Sequence, residues 1–314
     1  LYFLSPNEVG LWFTFLSIAM LANLVDFGFS PSILRNTSYI WSGAKELKKE
    51  GITNYVNKGE PNFILLDQMI NTSRLIYLII AIIALIFVST LGTFFIIQIT
   101  EGYDIENKLF SWFIFIVGIF LNITFNFWTP LLKGVGEIKK SQKALVLSKT
   151  TFIFFSVILL NLSYGLLGVA IAYTLSGIIL RFFSRNYFLF FLKDLNFKPS
   201  LNLLTGVDTH FVSKIFYNAW RLGVVSLGAF AILQSNTLIC SYYFGLEYTA
   251  SYGLVIQIFA VIAALASTPY QTYLPEFNQL LSFNNFNDAK KIIIRSAKLN
   301  WIIFSSFSFL VIIF

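Results

Sequence analysis

Residues 75–97 read LIYLIIAIIALIFVSTLGTFFII, and this uncharged stretch decides the fold class. It is longer than the roughly 20 apolar residues that a helix needs to cross a bilayer. Its apolar residues are continuous and do not alternate with polar ones, which favours a helix over a strand of a transmembrane barrel. The stretch therefore predicts a membrane-spanning helix.

Further stretches of the same kind lie on both sides of it. Of the 314 residues, 57 % are hydrophobic and only 12 % are charged, whereas soluble domains carry roughly 25 % charged residues. This composition excludes a soluble enzyme and a disordered chain, and a single cysteine excludes a disulfide scaffold. We predict an all-α, polytopic membrane protein with about eight transmembrane helices, covering 9–27, 75–97, 109–132, 144–163, 166–190, 219–243, 249–275 and 299–314.

The charged residues are distributed unevenly between the connections. If successive connections lie on opposite sides, all but one of the 22 lysines and arginines fall on one side, in the segments near 26–74, 133–149, 181–221 and 276–298. The other side has Lys108 and the acidic residues Glu8, Glu101, Asp104, Glu106 and Glu247. By the positive-inside rule, the first side is cytoplasmic. The net charge of +7 is therefore interpreted as a topology signal with affinity for anionic lipid, and no nucleic-acid partner is expected.

Two features concern the organisation of the chain. The first predicted helix runs from outside to inside, and the last apolar stretch stops without a polar flank, so we expect an internal piece of a longer membrane protein. Near the middle of the chain, Val207, Phe211, Ile215 and Phe216 recur at near-helical spacing. This pattern indicates a short amphipathic helix on the inner membrane surface.

The beginning of the chain carries a family resemblance. It reads LSPNEVGLWFTFLS over 4–17, LVDFGFSP over 24–31, RNTSY over 35–39 and WSGAK over 41–45. This sequence resembles the second helix and the following inner loop of the Wzx-type O-antigen and polysaccharide flippases, within the multidrug/oligosaccharidyl-lipid/polysaccharide exporter superfamily. The order of apolar segments fits the family over the whole chain, whereas the match of individual residues is specific only over 4–45.

The resemblance implies a V-shaped fold of twelve helices in two six-helix lobes around a central cavity. The chain would span helices two to nine, with most of the first lobe in 1–190, a cytoplasmic amphipathic connector in 191–217 and the first half of the second lobe in 218–314. The implied function is a flippase of the bacterial cytoplasmic membrane. It would move an undecaprenyl-pyrophosphate-linked oligosaccharide from the inner to the outer leaflet by alternating access, driven by an ion gradient.

The resemblance also implies the partners of the protein. They are the lipid-linked oligosaccharide, membrane lipids, a polysaccharide polymerase and a chain-length regulator. No enzymatic activity, no cofactor and no metal site are expected.

Charged residues at membrane depth are candidate functional residues because they are costly there. Asp26 ends the first predicted helix. We interpret it as an ion-coupling carboxylate or a partner for Arg35, with a structural cap at the inner interface as the alternative. Arg35, Arg221 and Lys133 lie at the predicted inner mouth, where a guanidinium can hold pyrophosphate through two parallel hydrogen bonds. For these three cations, an anchor at the inner interface is the alternative.

Uncharged polar residues inside the predicted spans form a second group of candidates. Asn122 and Asn126 lie one turn apart on the predicted helix 109–132 and are expected to share a face with Thr129. Together with Trp128 they would line a cavity in which amides and an aromatic ring bind sugar. The alternative for the group is hydrogen bonding between helices. The remaining candidates for the cavity are Gln234, Asn236, Gln257 and Gln271.

Two other functions remain open from the sequence. A drug or cation exporter of the same superfamily would share the fold and would use a membrane-buried carboxylate, for which Asp26 is the nearest candidate. A membrane enzyme of polysaccharide assembly, such as an O-antigen polymerase, would need a sizeable external loop with charged groups, or paired carboxylates on the inner face. The predicted external connections are short and the acidic residues are scattered, so transport is the predicted function.

Overall fold

The computed structural model describes residues 3–47, 60–200, 209–282 and 286–313. Within these ranges the chain is helical almost throughout and forms no strand. The α-helices in chain order are α1 Pro6–Asn23, α2 Phe29–Trp41, α3 Phe63–Phe87, α4 Thr93–Ile99, α5 Lys108–Thr124, α6 Trp128–Gly134, α7 Ile138–Asn161, α8 Gly165–Asp194, α9 Thr209–Leu233, α10 Ser235–Tyr243, α11 Leu246–Ser282 and α12 Phe286–Ile313.

Seven helical segments in the described part of the chain are long and apolar enough to cross a membrane, which indicates a multi-pass membrane protein. The eighth predicted helix, 299–314, is not among them. It falls within α12. The seven segments are Pro6–Asp26, Phe63–Ile99, Lys108–Gly134, Ile138–Asn161, Gly165–Asp194, Ile215–Tyr243 and Leu246–Ser267.

Local capping fixes where two of the spans begin. Ser5 and Glu8 form a capping box before α1: the Glu8 N–H donates to Oγ of Ser5 (3.3 Å), and the Ser5 N–H donates to Oε2 of Glu8 (2.8 Å). Asn62 caps α3, because its Oδ1 accepts from the Leu65 N–H (3.2 Å). The predicted span 75–97 therefore starts earlier, at Phe63. It continues through a π-helical turn at Val88–Gly92 into α4.

Two predicted helices contain a break. The predicted helix 109–132 divides into α5 and α6 at Phe125–Phe127. Pro130, near the start of α6, has no N–H to donate, and its ring clashes with the carbonyl group four residues earlier in a continuous helix. The predicted helix 219–243 likewise divides into α9 and α10 at Gln234. The apolar length of each stretch was predicted correctly, but its helical continuity was not.

The spans alternate in direction, so the connections gather at two ends of the bundle. At one end, Glu8 packs against Gly165 and the Tyr103 hydroxyl against Gly245, which brings together the start of α1 and the turns before α5, α8 and α11. At the other end, the Ser38 hydroxyl donates to the Gly134 carbonyl oxygen (3.1 Å). Among the described residues of the first unit, the first end carries Glu8, Glu101, Asp104, Glu106 and Lys108, and the second end carries Arg35 and Lys133, in agreement with the charge pattern.

The stretch expected to form a separate amphipathic helix falls partly on α9. Val207 lies outside the described residues, as does the side chain of Phe211. Ile215 is buried, and the ring of Phe216 lies 6.0 Å from that of Phe29 in α2. From Thr209 onward the stretch is therefore the first part of a long helix that continues to Leu233.

The chain forms two compact units, residues 1–249 and 250–314. The core of the first unit is aromatic: the ring of Phe15 lies 4.7 Å from that of Trp112, and Phe115 lies 4.6 Å from Tyr173. In the second unit, the guanidinium of Arg295 lies 5.9 Å from the ring of Tyr273. The predicted lobes 1–190 and 218–314, and the arrangement of six helices in each lobe, stay predictions.

Candidate functional site

Asp26 lies where the first span turns back into the second helix. A 3₁₀ turn over Leu24–Asp26 ends α1, and Phe27 (φ 43°) and Gly28 (φ 80°) then adopt left-handed backbone conformations that lead into α2. The Asp26 carboxylate accepts a hydrogen bond from the hydroxyl of Tyr77 in α3, and its Oδ2 accepts one from the Ser30 N–H (3.3 Å). Tyr77 is fully buried, so this pair fixes the end of α1 against α3 inside the bundle.

Arg181 faces the same region from α8. Its Nη1 donates to Oγ1 of Thr129 in α6 (2.9 Å), and the Thr129 hydroxyl donates to Oγ of the buried Ser184 (3.5 Å). Arg181 lies close enough to Asp26 and Tyr77 for electrostatic interaction with both. At about 1.5 Å per residue, it lies about 24 Å along the helix from Gly165, which is within the roughly 30 Å hydrocarbon core if α8 enters the membrane there.

These residues form what we call the polar cluster: Asp26, Tyr77, Thr129, Arg181 and Ser184. Four helical segments that are far apart in sequence contribute to it. A carboxylate and a guanidinium in an otherwise apolar bundle are costly, and such groups commonly mark ion or substrate pathways. The Asp26 carboxylate can take up a proton, and the hydrogen bonds from Tyr77 and Ser30 hold it in place. The polar cluster also ties α1, α3, α6 and α8 together.

A cavity of about 250 Å³ adjoins the polar cluster. Two residues that line it have a buried nitrogen atom without a hydrogen-bond partner among the described residues. These atoms are Nε of Arg181 and Nε1 of Trp128. The Trp128 side chain is held between the rings of Phe127 (4.5 Å) and Phe188 (5.8 Å). The lining residues are Leu121, Phe125, Trp128, Ile178, Arg181, Phe182 and Arg185.

The predicted phosphate-binding cations lie near the basic end of the bundle. Arg35 is exposed on α2 and Arg221 is exposed on α9, two helices that pack against each other. Arg221 donates to the Tyr217 hydroxyl (3.0 Å) and lies over the same ring (4.9 Å). Lys133 is partly buried on α6. Asp26 bonds to Tyr77 and Ser30, and no ion pair between Asp26 and Arg35 is found among the described residues, so the role of Asp26 stays a prediction.

The helix predicted over 109–132 breaks between the members of the expected polar face, so Asn122 and Thr129 do not lie on one continuous helix, although both contact α8. Asn122 lies in α5. Its side-chain amide donates to the Gly118 carbonyl oxygen (3.0 Å) and packs against Gly177 of α8. Asn126 lies in the turn before α6, where its backbone carbonyl oxygen accepts a hydrogen bond from the Thr129 N–H (3.1 Å). The Asn122 contact with α8 agrees with the alternative of a helix–helix contact.

The remaining polar candidates lie at one junction and on two helices. Gln234 lies at the junction of α9 and α10, and Asn236 is exposed on α10, with its amide directed to the Ile232 carbonyl oxygen (3.4 Å). Gln257 is exposed on α11 in the second unit. Gln271 is also in α11, but its side chain lies outside the described residues. Their roles in substrate binding stay predictions.

Sequence reasoning missed three members of the polar cluster, Tyr77, Arg181 and Ser184. Arg181 was counted as a cation of the loop 181–221, whereas α8 continues through it to Asp194. A signal was available, because Arg181 follows Ile178, Ile179 and Leu180 and precedes two phenylalanines, so the apolar stretch continues across the charge. No such signal marks Tyr77, because an aromatic residue in an apolar span is ordinary.

Comparisons with protein-family models, with curated proteins and with solved structures find no match to this chain. The resemblance over residues 4–45 to the polysaccharide flippases therefore stays a prediction. The polar cluster and the adjoining cavity are features of the chain itself and do not depend on that resemblance.

Proposed function

We propose that the protein is a transporter of the polysaccharide exporter type, which moves an undecaprenyl-pyrophosphate-linked oligosaccharide from the inner to the outer leaflet of a bacterial cytoplasmic membrane. The observation that carries the proposal is the polar cluster, in which Asp26 bonds to Tyr77 and the nearby Arg181 bonds to Thr129 within an apolar helical bundle. Such a carboxylate has a clear use in a transporter, since its occupation by a proton or cation changes the net charge that the bundle must accommodate.

Close contacts at both ends of the first span favour alternating access. Gly10 of α1 packs directly on the backbone of Leu246, and near the opposite end Gly28 packs on the Ala219 carbonyl oxygen. At that second end the ring of Phe27 also lies against Gly223. Glycine permits such close approach without a side chain in the way. Opening one of these two contacts at a time would expose the space between the helices to one side of the membrane only.

The cations at the basic end favour an anionic substrate head group. Arg35 and Arg221 are exposed on the adjacent helices α2 and α9, and Lys133 lies on α6. In the proposed mechanism they attract the pyrophosphate at the inner mouth, and the guanidinium groups orient it through paired hydrogen bonds. The oligosaccharide would then occupy the space between the lobes, and reoccupation of Asp26 would return the protein to the inward-facing state.

A drug or cation exporter is the second candidate, and one observation favours it. Asp26 is a partly buried carboxylate at the end of a span, and an exporter of cationic compounds needs a buried carboxylate to attract them. The two functions differ in what the cations do. An O-unit flippase requires Arg35 and Arg221, whereas an exporter of cationic drugs is hindered by positive charge near the substrate.

The test is complementation. The reading frame that encodes this chain is expressed in a bacterium without its own O-unit flippase, using a donor strain with relaxed O-unit specificity, and long-chain polysaccharide is scored at the cell surface. Restoration is expected. If the protein is present in the membrane and the ion gradient is intact but no polysaccharide appears, a dye-efflux assay in the same cells decides for or against the exporter.

Substitutions at the proposed site residues test whether these residues carry the transport activity. At equal protein level, Asp26→Asn is expected to abolish transport, and Arg35→Ala and Arg221→Ala are expected to reduce it more than the corresponding lysine variants do. Lys139→Ala is the matched control, because Lys139 is an exposed cation near the same end of the bundle and lies outside the proposed site. Wild-type transport in all three site variants would refute the assignment.

A further inference from the structure

The cavity beside the polar cluster combines positive charge with an apolar wall. Arg181 and Arg185 lie one helical turn apart on α8 and both line it. Most of the remaining lining is aliphatic and aromatic, with Leu121, Phe125 and Ile178 among its members. A cavity of this composition suits a molecule that carries a negative charge at one end and a hydrocarbon chain at the other.

Two buried hydrogen-bond donors in the lining have no partner. The Trp128 side chain is only 3 % exposed, and its Nε1 makes no hydrogen bond with any described residue. Nε of Arg181 likewise makes no hydrogen bond, whereas Nη1 of the same side chain donates to Oγ1 of Thr129. Buried donors without acceptors are costly, at about 1–3 kcal/mol each. Both atoms belong to residues that line the same cavity, and an acceptor-rich group that reached them there would satisfy them.

The position of the two arginines along α8 fits a lipid phosphate. At about 1.5 Å per residue, Arg181 lies about 24 Å and Arg185 about 30 Å from the start of the helix at Gly165. If α8 enters the membrane at Gly165, the pair lies close to the opposite boundary of the hydrocarbon core, which is roughly 30 Å thick. Lipid phosphates lie just beyond this boundary, and their chains extend back along the depth at which Leu121 and Ile178 lie.

We propose that this cavity binds the phosphate of a membrane amphiphile. The Arg185 and Arg181 guanidinium groups and the Trp128 Nε1–H donate to the phosphate oxygens, and the chain lies along the apolar wall. Two sources share this chemistry: an anionic phospholipid and the phosphate of a polyprenyl carrier. The proposal does not depend on the transport function, because a structural phospholipid would occupy the cavity in the same way.

Asp26 does not remove the need for such a ligand. It interacts electrostatically with Arg181, but its oxygens accept from Tyr77 and Ser30, so it leaves the Nε of Arg181 without a partner. Arg185 is exposed and makes no hydrogen bond or ion pair with the residues that the structure describes. An exposed guanidinium whose donors make no hydrogen bond within the protein can donate to a phosphate.

The experiment is a lipid titration of the purified protein, followed by native mass spectrometry. The probes are phosphatidylglycerol, undecaprenyl pyrophosphate and diacylglycerol, which lacks the phosphate, and inorganic pyrophosphate is the competitor. The variants are Arg185→Gln, Arg181→Gln and Trp128→Phe. Lys143→Gln is the control, because Lys143 is an exposed cation on α7 outside the cavity.

We expect Arg185→Gln to weaken binding of the phosphate-bearing lipids about tenfold or more and Trp128→Phe to weaken it roughly threefold, with no change in Lys143→Gln. Inorganic pyrophosphate should displace the phosphate-bearing lipids. Stronger binding of undecaprenyl pyrophosphate than of phosphatidylglycerol would identify the carrier as the source, and equal binding would identify an ordinary phospholipid.

If Arg181→Gln does not fold, Arg185→Gln and Trp128→Phe still decide the question, because Arg185 is exposed and phenylalanine keeps most of the aromatic volume of Trp128. Wild-type affinity for both phosphate-bearing lipids in these two variants would overturn the proposal. Equal binding of diacylglycerol and phosphatidylglycerol would overturn it as well. Failure of the complementation assay would leave this result unaffected, so the two proposals can fail separately.

Discussion

The contact between Gly10 and Leu246 allows a quantitative prediction for Gly10→Ala. A Cβ on Gly10 would lie 1.9 Å from the Leu246 carbonyl oxygen, 2.7 Å from its carbonyl carbon and 3.0 Å from its Cα. All three atoms belong to the backbone, so rotation of a side chain cannot relieve the clash. The two segments must separate by at least about 1 Å before the contact becomes acceptable, because packed atoms do not interpenetrate.

Two opposing effects determine how Gly10→Ala changes the free energy of unfolding. Overpacking of this kind typically costs about 1–3 kcal/mol, and alanine regains up to about 1 kcal/mol of helix propensity relative to glycine. The clash is with rigid backbone, which places the overpacking cost near the upper end of this range, so we expect Gly10→Ala to lower the free energy of unfolding by about 2 kcal/mol. Gly228→Ala on α9 is the matched control, because a Cβ there meets nothing within 4 Å. Only the gain in helix propensity applies at that position.

The native cysteine supplies a reporter of the separation. Cys240 is the only cysteine of the chain, and it lies partly buried on α10, which packs against α1. Gly10→Ala should therefore increase the rate at which maleimide labels Cys240 in the folded protein, and chemical unfolding in detergent should give the stability change. If Gly10→Ala and Gly228→Ala have the same labelling rate and the same stability, the close contact at Leu246 does not exist in the membrane protein.

Three further substitutions test contacts elsewhere in the first unit. Tyr77→Phe removes the hydroxyl donor of the Asp26 carboxylate and should lower the unfolding free energy by about 1.5–3 kcal/mol, measured by chemical unfolding. Lys108→Gln removes an ammonium group that donates to two carbonyl oxygens of the turn 100–107 (3.0 and 3.2 Å), so amide hydrogen exchange in that turn should accelerate. Gly223→Ala places a Cβ 2.4 Å from the Phe27 ring and should cost less than Gly10→Ala, at about 1 kcal/mol, because a ring can shift where backbone cannot.

Each of these three predictions has a control. Tyr248→Phe removes a hydroxyl from an exposed tyrosine and should leave stability unchanged. Lys139→Gln removes an exposed cation that holds no turn, so exchange in 100–107 should match the wild type. Gly228→Ala is also the control for Gly223→Ala, because a Cβ on Gly228 meets nothing within 4 Å. Equal behaviour of variant and control in any of the pairs would contradict the contact on which that prediction rests.

The sequence alone determined the fold class and the alternation of the spans. Whether a stretch such as 75–97 enters a membrane depends on the transfer of about 20 consecutive residues from water to lipid, and this free energy is a property of the stretch itself. The break before α6 also has a local cause, since Pro130 cannot donate within a continuous helix, although the prediction of one helix over 109–132 did not take it into account. Asp26 was recognised because a charge at the end of a span is visible in the sequence.

The tertiary structure decided which polar groups meet. Tyr77 lies 51 positions from Asp26, and Thr129 lies 52 positions from Arg181. In a bilayer the apolar faces of all helices have similar affinity for lipid, so hydropathy does not specify which face contacts which neighbour. Close contacts at small residues such as Gly10, and hydrogen bonds that satisfy costly buried groups, select the pairing. These interactions depend on the shape of the neighbouring helix, and the polar cluster is determined only when the helices are packed.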